Sequence, residues 1–112
     1  MLLRKNLEMN AMNNAFFILF FSVSLTACVT KQQFLSTNYQ QGKLLFQHEN
    51  YHQAFNKLAP VAKAGYADAE YAIGYMYFYG KGIVEDKKLA RYWISKAAHQ
   101  GQAAAIQALK QI

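Results

Sequence analysis

The residues best able to do chemistry stand in one short run, His48-Glu49-Asn50-Tyr51-His52. The run fits the His-Glu-x-x-His pattern, in which two imidazoles one helical turn apart hold zinc and the glutamate activates a water. That chemistry needs one unbroken helix, because only a continuous turn puts both rings on the same face. A third ligand would have to be Asp68, Glu70 or His99, and none stands at a persuasive spacing. Another apparent motif runs from Gly74 to Gly82, where Gly80-Lys81 resembles the end of a phosphate loop. Its spacing is one residue too long, Gly82 replaces the required Ser or Thr, and no strand precedes it, so nucleotide binding is rejected.

Whether His48 and His52 share a helix depends on the elements around them, and the C-terminal part of the chain declares those by repeating itself 36 positions apart. Ala54 aligns with Ala90, Leu58 with Ile94, Ala62 with Ala98, Gly65 with Gly101, Ala67 with Ala103, Ala69 with Ala105 and Ala72 with Ala108. A fixed period of this length, built on Ala, Gly and aliphatic positions, marks a stacked helical repeat whose units bury their apolar faces against one another. At an offset of 32, Tyr39 meets Tyr71, Gly42 meets Gly74 and Phe46 meets Phe78. The first unit therefore has a short turn at Glu49-Asn50 where the second has residues 81–86. The pattern predicts helix A over 37–48, helix B over 51–64, A again over 67–79, B again over 86–100, and a closing helix from 102. Periodicity leaves one alternative open, since Leu44, Tyr51, Phe55, Leu58 and Ala62 also suit a single helix running through Glu49.

Local punctuation agrees with separate helices. Gly65 and Gly101 follow Ala-rich segments where a left-handed cap favours glycine, and Asp86 is placed to cap the next helix with its side-chain oxygen. Gly74 lies inside a helix, where it costs about 1 kcal/mol relative to Ala, and is expected to admit a facing helix at close range. Pro60 is the local violation, expected to kink helix B unless the helix restarts with Pro60 in its first turn.

Ala67-Asp-Ala-Glu-Tyr-Ala-Ile-Gly-Tyr-Met-Tyr-Phe-Tyr-Gly-Lys-Gly-Ile-Val-Glu-Asp86, with Ala90, Trp93, Lys96-Ala97-Ala98 and Gly101, closely resembles the Sel-one-like repeat. Leu58-Ala-Pro-Val-Ala-Lys-Ala-Gly65 looks like the end of a preceding unit, where Pro60 is at home. The resemblance implies an all-α fold of tetratricopeptide-like helical hairpins, an α-solenoid of about two units plus a closing C-terminal helix. It covers roughly residues 38 to 110. Lys110 stands where another helix A would carry its glycine, and Lys87 stands where an aromatic is common. Relatives associated with β-lactam binding carry paired cysteines in each repeat, which this chain lacks.

The N-terminus has a different character. Arg4 and Lys5 precede an apolar run from Ala15 to Leu25 that ends in Leu25-Thr26-Ala27-Cys28. The run is 11 residues long, within the size of a signal-peptide core and short of the roughly 18 needed to span a bilayer. Leu-Thr-Ala-Cys resembles the bacterial lipobox, which implies cleavage before Cys28, lipid attachment to its thiol and, with Val29 next, transport to the outer membrane facing the periplasm. The expected organisation is a lipoprotein signal peptide over 1–27, a lipid-anchored polar tether over 28–37 and a repeat domain over 38–112.

The chain has 12 Lys and Arg against 6 Asp and Glu, a net charge of +6. Lysines spread over helix B faces and loops read as a solvated surface, with attraction to anionic headgroups or an acidic partner as the second reading. No arginine-rich stripe or stacking platform points to nucleic acid. The single cysteine rules out an internal disulfide. Two units plus a closing helix is near the lower limit for a stable array, so self-association is a further expectation.

Tyr71, Tyr75 and Phe78 fall at i, i+4 and i+7, one stripe of helix A, and Tyr39 with Lys43 extends it on the neighbouring unit. Ala69, Ile73, Met76, Tyr77 and Trp93 are placed for packing. The stripe either fills gaps between helices or serves a protein partner, since half-buried tyrosines offer apolar area with a hydrogen-bonding tip. The expected function is a noncatalytic protein-binding adaptor in the bacterial envelope, without cofactor, metal or nucleic acid. Family resemblance sets it in a secretion or polysaccharide-export assembly, or in host contact. The alternatives are a small zinc hydrolase using His48, Glu49 and His52, and a structural lipoprotein on the cell wall.

Overall fold

A computed structural model describes residues 30–112. The signal peptide, the lipobox and Cys28 lie outside those residues. Chain contacts divide the molecule after Phe34, and residues 35–112 form the larger compact unit. Residues 30–34 of the first unit are helical. The described residues contain helices and no strand: α1 (30–47), α2 (Tyr51–Lys63), α3 (Ala67–Tyr79), α4 (Lys87–His99) and α5 (Ala103–Leu109). None of these helices is long and apolar enough to cross a membrane.

Each helix ends as its local sequence dictates. Gly65 and Gly101 take φ of 94° and 87°, the left-handed conformation expected of them, and Gly80 ends α3 in the same way at 62°. Behind Gly65, the Tyr66 N–H reaches the Val61 carbonyl at 3.3 Å, and behind Gly101 the Gln102 N–H reaches Ala97 at 3.1 Å. These bonds satisfy carbonyls that the helix would otherwise leave orphaned. Asp86 caps α4 by accepting hydrogen bonds from the Lys88 and Leu89 N–H groups, both at 3.0 Å. The chain also breaks between α1 and α2: Glu49 has φ 60°, and its neighbour's N–H returns to Leu45. His48 follows α1 while His52 stands in the first turn of α2, so the zinc pattern is not carried on one helix.

One expectation needs correction. Residues 30–37, read as part of a polar tether, are helical, and Leu35 joins the core, because the apolar side of α1 starts a turn earlier than Tyr39. Pro60 neither ends α2 nor begins it, but lies inside a helix that continues to Lys63. The carbonyl that its missing N–H leaves open belongs to Asn56, an exposed residue whose backbone can turn to water.

Packing is by sequential neighbours. α3 lies against both α2 and α4, and α5 lies against α4. α3 is accordingly apolar around most of its circumference, burying Ala69, Ile73, Gly74 and Met76. Those side chains meet Leu58, Val61 and Ala62 of α2 and Leu35 of α1 in one cluster, against which Tyr77 and the half-buried Trp93 pack. A second cluster joins Ile94 and Ala97 to Ala105 of α5. Gly74 meets its expected role: a Cβ there would stand 2.6 Å from Ile94 Cγ1 and 3.1 Å from the Ala90 carbonyl, so glycine lets α4 sit directly on α3. Gly42 does the same for α1 against Leu58.

Glu70 is a buried carboxylate at the start of α3 that gathers three segments. Its Oε2 accepts from Gln100 Nε2 at 2.8 Å, and the same amide nitrogen donates to the Gly65 carbonyl at 3.0 Å. Its Oε1 lies 3.4 Å from the Lys96 ammonium without a hydrogen bond of good geometry. The tie joins the α2–α3 turn, the first turn of α3 and the end of α4. Lys87 explains its own departure from the repeat pattern. It lies over the Phe78 ring at 3.6 Å, and its ammonium donates to the Phe78 carbonyl at 2.7 Å, cationic packing in place of aromatic packing.

Candidate protein-binding face

Helices α1, α3 and α5 present the side on which the sequence placed its aromatic stripe. Tyr39, Tyr71, Tyr75 and Phe78 are all half-buried and Lys43 is exposed. They line two adjoining grooves. The first, about 330 Å³, runs between α1 and α3 and is walled by Tyr39, Lys43, Phe46, Asp68, Tyr71 and Gln102. The second, about 260 Å³, runs between α3 and α5 and is walled by Tyr71, Tyr75, Phe78, Tyr79 and Gln107. Tyr71 belongs to both. The structure thus brings Tyr39, Lys43 and Tyr71 together, and separately Tyr71, Tyr75 and Phe78, with one ring as the shared wall.

The grooves are held open by polar and aromatic contacts between helices. The Tyr39 hydroxyl donates to Asp68 Oδ2 at 3.0 Å, and Gln102 Nε2 approaches Asp68 Oδ1 at 3.4 Å. Gln102 is itself fixed, because its Oε1 accepts from the Ala105 N–H at 2.6 Å as the cap of α5. One carboxylate therefore spans α1 and the start of α5. Across the same face Phe46 meets Tyr75 edge-on at 5.6 Å, and Tyr75 meets Tyr79 at 4.7 Å. Burial, the hydrogen bond to Asp68 and that carboxylate's charge raise the Tyr39 phenol above its ordinary 10.0. Burial, then the neighbouring Tyr75 and Tyr79, raise Tyr71 in the same direction. Both phenols remain neutral donors at physiological pH.

Sequence reasoning missed Asp68 and Gln102, which shape the first groove. Asp68 lies three residues before Tyr71 and so on the same helical face, a signal that was legible. Gln102 carried none, because its reach to Asp68 depends on how α5 seats. Such a face offers shallow apolar surface with hydroxyl tips, which suits a polypeptide.

The Sel1 repeat family model matches residues 67–102, the span from α3 through the cap of α5. No curated protein and no solved structure matches the chain. Sel1 repeats mediate protein–protein interaction and are generally noncatalytic scaffolds.

Proposed function

From the Sel1 repeat that this chain carries at residues 67–102, we propose a noncatalytic adaptor that offers its α1–α3–α5 face to a protein partner. The observation that carries this reading is the convergence of Tyr39, Tyr71 and Tyr75 on two adjoining grooves sharing Tyr71. The rings keep their hydroxyl tips near the surface, so a partner gains apolar contact without stranding a buried polar group. The adaptor works at the bacterial outer membrane, on its periplasmic side, tethered by lipidated Cys28. The basic n-region, the short apolar core and Leu25-Thr26-Ala27-Cys28 support that anchor.

A photoreactive residue placed at Tyr71 in intact cells, with the same probe at Val84 as control, tests the adaptor reading. Val84 sits on the α3–α4 loop and is 88% exposed, so it samples solvent encounters. A discrete protein adduct at Tyr71 and none at Val84 is expected, whereas equal capture at both sites or none at Tyr71 would overturn the reading. The anchor is tested apart from it: Cys28→Ala should move the protein from the membrane fraction to the soluble one.

A further inference from the structure

The outer side of α4 carries a feature that the tyrosine face does not use. Lys88, Arg91, Tyr92, Ser95 and His99 fall at i, i+3, i+4, i+7 and i+11, opposite the residues that α4 buries, Ala90, Ile94 and Ala97. They border a groove of about 920 Å³ that is also lined by Phe78, Lys87, Lys96 and Ile112. Its cations are not equivalent. Lys87 is engaged by the Phe78 carbonyl and, at 3.2 Å, by Glu85, while Lys96 faces the buried Glu70. The charged groups of Lys88 and Arg91 meet no acceptor and no ring among the described residues.

The internal duplication supplies a reference for this face. With the 36-residue period, Arg91 occupies the register of Phe55, Ser95 that of Ala59, and Tyr92 that of Asn56. On α2, Phe55 and Ala59 of that stripe receive the next hairpin, with Phe55 edge-on to Tyr77 at 5.6 Å and Ala59 packed on the core, while Asn56 stays exposed. On α4 the same register has become cationic and hydroxylic. Lys110, the residue that caps α5, stands in the register of Gly74. The slot suits an occupant with carboxylates for Lys88 and Arg91 and an apolar side chain for Phe78, Tyr92 and Ile112.

The geometry points to this groove as a docking site for an acidic amphipathic segment of a partner protein, adjoining the second tyrosine groove at Phe78 and Ile112. A second copy of this chain does not supply such a segment, since the acids of residues 30–112 are scattered at Glu49, Asp68, Glu85 and Asp86, with Glu70 buried. A bilayer fits less well, because the surface is a trough lined by Phe78, Tyr92 and Ile112 as well as by cations. Electrostatic complementarity of this kind sets partner choice and association rate, and it weakens with salt.

The test uses the full chain and a panel of labelled 13-residue peptides, the length of α4. The panel varies Leu, Phe and Trp among helically spaced Glu residues, with Lys counterparts of every member. Acidic members should bind and Lys members should not. Lys88→Glu combined with Arg91→Glu should weaken acidic binding by about tenfold or more and transfer preference to the Lys members. Both sites are exposed, and an unchanged circular dichroism spectrum confirms that the variant folds. Tyr71→Ala should leave the peptide affinity unchanged, which separates this site from the adaptor face. Binding of no acidic member, or binding indifferent to the charge reversal, overturns the proposal. So does charge-dependent capture of phosphatidylethanolamine–phosphatidylglycerol vesicles without peptide binding, or self-association abolished by the charge reversal.

Discussion

Glu49 shows how much one residue can carry against its own preference. Three glycines, at 65, 80 and 101, close α2, α3 and α4 in the left-handed conformation, yet α1 closes on a glutamate at φ 60°. The Glu49 N–H reaches Phe46 at 3.1 Å and the Asn50 N–H reaches Leu45 at 2.9 Å, so the cap is made in full while the Cβ bears the steric cost. Glu49→Gly should therefore raise stability by about 0.5–1 kcal/mol, seen as a higher denaturation midpoint at unchanged slope. A lower midpoint would mean that the carboxylate makes a stabilising contact outweighing that strain. The backbone break also accounts for the His-Glu-x-x-His run: a match of letters lying across a cap, where helical spacing no longer applies.

At the scale of the helix pair, the decisive quantity is the distance of approach. Alanine normally improves a helix interior by about 1 kcal/mol over glycine, so the sign of the effect at Gly74 is diagnostic. A Cβ there would press on the Ala90 carbonyl and the Ile94 nitrogen, both 3.1 Å away, and backbone atoms yield poorly. At Gly42 the obstacle is mainly the Leu58 side chain, which can turn. Gly74→Ala should destabilise by about 1–3 kcal/mol and Gly42→Ala by less, measured as shifts in melting temperature. The reverse order would show that the α3–α4 contact is looser than that of α1 and α2. The same closeness leaves room for alanines at 54, 62, 69, 90, 97 and 105 among the buried positions, beside larger residues such as Leu58, Ile73 and Met76.

Over the whole repeat domain, stability comes from stacking, and the last helix closes the stack. α5 has only seven residues, too short to be helical alone, yet it covers Ile94 and Ala97 with Ala105 and brings Gln102 to Asp68. Ending the chain after Gln100 should cost about 3 kcal/mol from the apolar surface re-exposed and should open the second tyrosine groove, raising binding of a hydrophobic dye. An unchanged midpoint and no dye binding would make α5 an appendage. With α5 in place, the domain has two different surfaces: the tyrosine grooves on the α1–α3–α5 side and the basic trough along α4.

The amino-acid sequence by itself determined the period, the helix limits at Gly65, Gly101 and Asp86, the role of Gly74, and the apolar positions of α3. These depend on the backbone preference of one residue or on a spacing within one helix, so neighbours in the chain suffice to specify them. Only the tertiary structure decided that α1 begins ahead of Tyr39 and that Asp68 links Tyr39 to Gln102. The same holds for the division of the stripe into two grooves and for Lys88 and Arg91 lacking partners among the described residues while Lys87 and Lys96 have them. Such outcomes join residues 29 to 35 positions apart, through packing angles and side-chain reach that no local pattern encodes.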